Sequence, residues 1–377
     1  MHKISKEPGF QILREEFHQN ITRRIHWSKS TNLTKLRPHA SNMTMRILSI
    51  FFTMDYLFLF AGLALLLLGA EFLVDSSVAI AKRAKVSSFV IGLTIVGMGT
   101  SAPEMFVSLS SAWNGNGDVA VGNIIGSNIC NIFLILGASA TILPFAIQGN
   151  IIRRDIPFGI FAAVLLTLFV NDSWNPGIEE NVLSRLDGAV LLIIFITYMV
   201  YTLFLKARNP QQAKEDMDQD AQSSLEGKKP VWLWMIAIVS LAALLCGGQL
   251  FLDSAISLAK AWGMSEAVIS ITIVAVGTSL PELVTTVIAS VKKNPQLALG
   301  NVLGSNVFNI LMILGLTSSI HPIAVANISY VDFAVMIGAA VGTFVVTYSF
   351  KKKTFDRAEG VIFLLAYVGY TAYLLMK

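Results

Sequence analysis

The sequence predicts an all-α polytopic membrane protein, with ten transmembrane helices arranged as two inverted-topology five-helix repeats. Three observations carry this expectation. Of the 377 residues, 54% are apolar and only 14% charged, where a soluble domain is about a quarter charged. Runs of 18 or more mostly apolar residues recur along the chain, each long enough to cross a hydrocarbon layer about 30 Å thick. The stretch 94-TIVGMGTSAPE-104 returns as 272-TIVAVGTSLPE-282, 178 residues later.

The predicted spans lie near 55–80, 88–113, 119–143, 156–171, 187–205, 231–258, 266–291, 297–320, 330–350 and 359–376. They divide the chain into a basic N-terminal extension (1–53), a first repeat (54–206), a linker (207–230) and a second repeat (231–377). The extension holds nine Lys/Arg against Glu7, Glu15 and Glu16, a net +6, which leaves −2 for the remainder of a chain whose total is +4. The basic balance therefore gives no reason to expect a nucleic-acid partner. The extension has no 3.6-residue apolar period and reads as disordered. Met54 stands directly before the first span, so the working protein is expected to begin there and the extension to be dispensable. The first apolar segment is too long for a cleaved signal.

The loops predict orientation. Odd-numbered connections carry Lys82, Arg83 and Lys85; Arg153 and Arg154; Lys206, Arg208, Lys214, Lys228 and Lys229; Lys292 and Lys293; and Lys351, Lys352, Lys353 and Arg357. Even-numbered connections and the C-terminus carry only Arg185, Lys260 and Lys377. Positive charge stays cytoplasmic. The protein is thus expected in the cell (inner or plasma) membrane, with both termini outside and the linker 207–230 in the cytoplasm. The linker's acidic run 215-EDMDQD-220 lacks the glycine and closing glutamate of a calcium loop and reads as solvated. Cys130 and Cys246 lie inside spans at no metal-binding or disulfide spacing.

Between Thr94 and Gly137, 20 of 44 positions match the residues 178 further on, without a gap, and Asp75 and Asp253 keep the same offset. This is an internal duplication. Five spans per unit, an odd number, turn the second copy upside down. Inverted repeats mark secondary transporters, which bind substrate near the midplane at broken helices.

The repeated motif explains itself chemically. Pro103 and Pro281 cannot donate a backbone hydrogen bond and clash with the carbonyls of Gly99 and Gly277. A freed carbonyl in hydrocarbon costs several kcal/mol unless something satisfies it, and a bound cation would. Thr100 and Glu104 share a helix face, with Ser101 beside them; Thr278, Ser279 and Glu282 repeat the set. In 122-GNIIGSN-128, Gly122 and Gly126 form a small-xxx-small pair suited to close helix approach. Asn123, Ser127 and Asn131 recur every four residues as hard neutral ligands, and Asn301, Ser305 and Asn309 repeat them. Buried carboxylates in a membrane are expensive and by default functional. Two carboxylates with many neutral oxygens suit Ca²⁺ or another hard cation. No histidine lies inside a span, since His321 falls at a membrane edge, so soft metals are disfavoured.

The doubled G-T-S-x-P-E with G-N-x-x-G-S-N resembles the alpha repeats of the calcium/cation antiporter superfamily, in its sodium/calcium exchanger branch of prokaryotic type. That resemblance implies an alternating-access antiporter with four ion sites in a diamond, three for Na⁺ and one for Ca²⁺. It implies that Glu104 and Glu282 bridge the calcium site with the carbonyls of Thr100 and Thr278. Ser101, Ser127, Ser279 and Ser305, with the carbonyls of Gly97 and Ala275, would line the sodium sites. Asn131 and Asn309 would stand at the middle. The first and sixth spans would slide across the rest. Some members carry aspartate where this chain has Asn309, which leaves two site carboxylates and leans against potassium co-transport. The expected function is exchange of Ca²⁺ for Na⁺, three to one. The alternative is Ca²⁺/H⁺ exchange by the same glutamates. Neither a catalytic set nor a cofactor is expected, and the expected partners are the ions and the lipid bilayer, with no obligatory protein.

Overall fold

The computed structural model describes residues 38–171, 180–205, 223–264, 269, 273, 275–349 and 353–376, with side chains from 54 onward except at 204, 205 and 275. Packing divides the chain into Met1–Met54 and Asp55–Lys377, and the second unit is the subject below.

Helix α1 runs Pro38–Ala84, ahead of its expected start, and its membrane-length apolar part is Met54–Ala84. Next come α2 (Ser88–Thr100) and α3 (Ala102–Trp113), one predicted span bent by 47°. The bend falls where the motif demands, because Pro103 occupies the first turn of α3, where no intrahelical donor is needed. Then follow α4 (Gly117–Ile142), α5 (Ile156–Val170), α6 (Arg185–Val200) and α7 (Pro230–Ala261). A single turn, Ala275–Gly277, precedes α8 (Leu280–Val291), which again carries its proline in the first turn. The start of that predicted span, near 266, lies outside the described residues. The chain ends with α9 (Pro295–Ile320), α10 (Tyr330–Val346) and α11 (Arg357–Met376). Capping boxes Ser184/Asp187 and Ser329/Asp332 start α6 and α10. Among the described residues six helices are long and apolar enough to cross a membrane, seven if α2 and α3 count as one span.

The duplication is visible element by element. Helix α3 and helix α8 begin and end 178 residues apart. Within α4 and α9 the backbone widens to π-helical turns at Cys130–Leu136 and Phe308–Leu314, again at the same offset. Four short strands pair across the halves: β1 (Phe145–Ala146) with β4 (Thr354–Phe355), and β2 (Asn181–Leu183) with β3 (Ile323–Val325), both antiparallel. Each half therefore lends its first strand to the other's second.

Helix α9 is the most enclosed, 94% buried over its apolar window, whereas α1 and α7 are each 33% buried. Residues such as Phe60, Leu68, Ile238 and Val239 turn outward, as lipid contact requires and water would not permit. Most of α2 to α6 and α9 to α11 forms one apolar core. The buried residues of α1 and α7 belong to a second cluster, together with Ile91, Val96, Ala289, Leu297 and Ala298. The two helices cross backbone to backbone. A Cβ on Gly247 would stand 2.6 Å from the Leu66 amide, and one on Gly69 2.6 Å from the Leu244 amide. Gly69 and Gly247 are themselves repeat mates. Of the predicted small-xxx-small pair, a Cβ added at Gly122 or Gly126 would meet no described atom within 4 Å, while one added at their mates Gly300 and Gly304 would stand 2.3 and 2.4 Å from the Phe89 and Leu93 carbonyls.

Two turns occur in both halves with different residues in the same left-handed position. Lys85 (φ 55°) stands where its repeat mate is Gly263 (φ 81°), and Lys293 (φ 59°) where its mate is Gly115 (φ 77°). A Cβ in this region is disfavoured by about 1–2 kcal/mol, yet lysine is kept.

Gly247→Val is expected to force α1 and α7 apart and destabilise the protein by about 1–3 kcal/mol, as overpacking does. Gly369→Val, where the added carbon meets no described atom, is expected to change it by less than about 0.5 kcal/mol. Thermal unfolding in detergent compares them.

Candidate functional site

The breaks in the two bent segments face each other. Glu104 and Glu282 sit in the first turns of α3 and α8, each 1% exposed. Each carboxylate is held by hydroxyls from the opposite half. Ser279 donates to Glu104 Oε1 at 3.3 Å, and Ser127, from its own half, lies at 3.5 Å. Ser101 donates to Glu282 Oε1 at 2.8 Å. Thr278 is half-buried, while Thr100, Ser101, Ser127, Ser279 and Ser305 are buried.

The Gly97 carbonyl accepts from Ser305 Oγ at 3.1 Å and Thr100 Oγ1 at 3.4 Å. This approach depends on glycine, since a Cβ at Gly97 would stand 3.0 Å from both Asn301 O and Ser305 N. The backbone of Ala275 lies in the turn before α8; its side chain is outside the described residues.

The amides divide into two groups. Asn131 and Asn309 lie inside the wide turns of α4 and α9. A turn that opens at Cys130 ends the every-fourth alignment with Ser127, and Asn131 Nδ2 instead donates across to Asn306 Oδ1 at 2.9 Å. Asn309 Nδ2 donates to Asn128 Oδ1 at 3.4 Å. The two motif-closing asparagines, Asn128 and Asn306, thus join the centre. Sequence reasoning assigned them no role, although their shared offset of 178 was a signal.

Asn123 and Asn301 differ from the ligand role expected of them. Their Nδ2 atoms donate at 3.3 Å to the backbone carbonyls of Glu104 and Glu282, and at 3.1 and 2.9 Å to Ser108 and Thr286. They anchor the helix behind each glutamate. Asn301 also brings its Oδ1 within 3.3 Å of Thr100 Oγ1, tying the halves together.

Among the described residues of this centre, four buried side-chain oxygens have no hydrogen-bond partner: Glu104 Oε2, Glu282 Oε2, Asn131 Oδ1 and Asn309 Oδ1. Buried polar atoms are normally partnered. Acceptors contributed equally by two halves form an environment that a cation satisfies, and the set of carboxylate, amide and hydroxyl oxygens is the hard donor type. Among the described residues no three of His, Cys, Asp and Glu gather, so a cation here is neutralised by this one pair.

Asn301→Ala is expected to destabilise the protein by about 1–3 kcal/mol, the cost of leaving buried polar groups unpaired. Asn123→Ala, at a half-buried site, is expected to cost less. Thermal unfolding in detergent checks the order.

The geometry agrees with similarity. The sodium/calcium exchanger protein family matches residues 54–204 and 232–376, both halves. A sodium/calcium exchanger of Methanosarcina acetivorans, MaX1, is 32% identical over 350 residues, covering 84% of this chain and 97% of its own. CaxA of Alkalimonas amylolytica, named provisionally as an antiporter, is 38% identical over 319 residues, with 83% and 96% covered. The solved structure of the sodium-calcium exchanger NCX_Mj, soaked with Na⁺ and Ca²⁺, superposes with a TM-score of 0.70 at 31% identity, covering 85% of this chain and 98% of that one. With a paired-glutamate centre built from two repeats and a family match along most of its length, the chain belongs to the sodium/calcium exchanger family of membrane transporters.

Proposed function

We propose that the chain exchanges Ca²⁺ for Na⁺, one for three, by alternating access through ten spans formed by two inverted five-helix repeats. The observation that carries this reading is the pair of buried glutamates whose free Oε2 atoms join two free amide oxygens. Glu104 and Glu282 bridge Ca²⁺ together with the carbonyls of Thr100 and Thr278. Ser101, Ser127, Ser279 and Ser305, with the carbonyls of Gly97 and Ala275, take Na⁺ on either side, and Asn131 and Asn309 stand between. The close backbone crossing of α1 and α7 at Gly69 and Gly247 supports their sliding as a unit.

Inversion is supported by the strand exchange between halves and by the turns. One copy carries Lys85 where its mate has Gly263, and the other carries Lys293 where its mate has Gly115. Lysine at left-handed positions in odd connections, and glycine in even ones, fits basic loops in the cytoplasm. The linker and these turns then lie inside the cell, and both termini outside. Lys82 pairs with Glu226 of the linker and Arg83 donates to the Lys228 carbonyl, which gathers these two odd connections on one face.

Glu104→Gln and Glu282→Gln are each expected to abolish Ca²⁺ uptake in proteoliposomes while the protein still folds. A unit charge at about 4 Å is worth about 4 kcal/mol at an effective dielectric of 20, roughly a thousandfold. Near-normal uptake by either variant removes the assignment.

The 3:1 cycle moves one net charge, worth about 2.3 kcal/mol per 100 mV. In Na⁺-loaded proteoliposomes clamped with potassium and valinomycin, an inside-positive potential is expected to speed Ca²⁺ entry and an inside-negative one to slow it. Indifference to voltage overturns 3:1 coupling. An absolute dependence on the proton gradient instead selects Ca²⁺/H⁺ exchange by the same glutamates.

A further inference from the structure

Among the described residues the ion pairs of helix α1 gather at one end, and at the other Asp55 Oδ2 accepts from Ser257 Oγ of α7 at 2.6 Å. Lys292, in the turn between α8 and α9, places Nζ 2.7 Å from Asp75 Oδ1 and 3.3 Å from Glu71 Oε1, both on α1. The end of the linker closes over the same residue: Ser224 Oγ donates to Asp75 Oδ2 at 2.5 Å, and Ser223 Oγ to the Asp75 carbonyl at 2.7 Å. Asp75 is buried in this cluster.

The repeat provides an internal control. Residues 178 further on from Glu71 and Asp75 are Gln249 and Asp253, and 178 back from Lys292 is Asn114. The aspartate survives in the second half, but both partners have lost their charge. Asp253 is exposed and, among the described residues, accepts from Gln249 of its own helix at 2.9 Å. One fold, used twice, therefore carries the ionic cluster on a single face.

We propose that Lys292 and Asp75, with Glu71 and the linker serines, form a latch that holds α1 on the basic face and keeps that face closed, so that the resting transporter opens toward the opposite side. This rests on the alternating-access exchange proposed above. Sliding of α1 with α7 keeps their close backbone crossing at Gly69 and Gly247, while the apolar neighbours of α1 on α2, α8 and α9 make non-directional contacts that can be exchanged. The ion pairs and hydrogen bonds of Asp75 are directional and must break, so they bias the balance between the two states. Lys292 is a positioning residue: it touches no group of the ion site.

Vesicles of known orientation give the Ca²⁺ KM at each face. Lys292→Ala is expected to lower KM at the basic face and raise it at the other, changing their ratio by about three- to tenfold, the range of a partly exposed charge network. A merely structural defect would lower the maximal rate without moving the ratio. Lys292→Arg is expected to keep the wild-type ratio, and the charge swap Asp75→Lys with Lys292→Asp to restore it. Asn114→Lys with Gln249→Glu is expected to move the ratio the opposite way. A second measurement needs no transport. Spin labels on Lys85→Cys and Lys293→Cys, in a Cys130→Ala, Cys246→Ala background, are expected to gain a longer distance when Lys292 is replaced by Ala or Gln. If the distance responds but Na⁺ drives no Ca²⁺ uptake in the wild type, the latch stands and the exchange reading falls. If wild-type exchange proceeds and Lys292→Ala moves neither the ratio nor the distance, the latch is overturned.

Discussion

Two like charges buried side by side in an apolar layer shape everything around them. Glu104 and Glu282 are each 1% exposed, and neither can keep its charge there without donors or a cation. The bends in the two motif segments follow from that need. They bring hydroxyls of each half to the carboxylate of the other, through Ser101 and Ser279. Proline at the first turn of α3 and α8 makes the break tolerable, and Gly97 lets Ser305 reach across. Asn123 and Asn301 then fix the backbone behind each acid, so that its free oxygen is presented rather than mobile.

Much of this was legible in the chain. The spans from 88 onward that fall among the described residues start and end within a few residues of their expected places, because long apolar runs leave little choice. The break at Ser101 follows from Pro103 alone. The partnership of Glu104 with Glu282 followed from the offset of 178. The wide turns at 130–136 and 308–314 were not legible, since a π turn differs from an α turn by one hydrogen-bond step that no residue type announces. Their effect was lost with them: Asn131 bonds Asn306 instead of continuing the Ser127 stripe. The strands, two or three residues long, are too short for an alternating pattern. The anchoring role of the Asn123 and Asn301 Nδ2 atoms was not legible, because an amide has both an oxygen and donors, and periodicity does not say which faces which neighbour.

The duplicated halves are nearly equivalent at the centre and differ at the rim. Around the paired glutamates, Ser127 and Ser305, Asn131 and Asn309, Thr100 and Thr278 keep identical types. At the turns, Lys85 and Lys293 oppose Gly263 and Gly115. The matched centre gives both halves the same oxygen donors, and the unmatched rim is where the two copies differ. The strain of lysine in a left-handed turn is a local cost of that distinction.

The exchanged strands have a consequence for how the chain is made. Pairing of β2 with β3 waits until Ile323 has emerged, and pairing of β1 with β4 until Phe355 has. Strand β1 is therefore complete more than 200 residues before its partner exists, a delay of roughly 10–40 s at about 5–20 residues per second of synthesis. Through that interval the first half sits in the bilayer with the edge of β1 open, and until Ser279 is made its buried acid lacks that hydroxyl. Strands β3 and β4, both made late, close the two seams, so assembly finishes as a clasp rather than as two domains folded in turn.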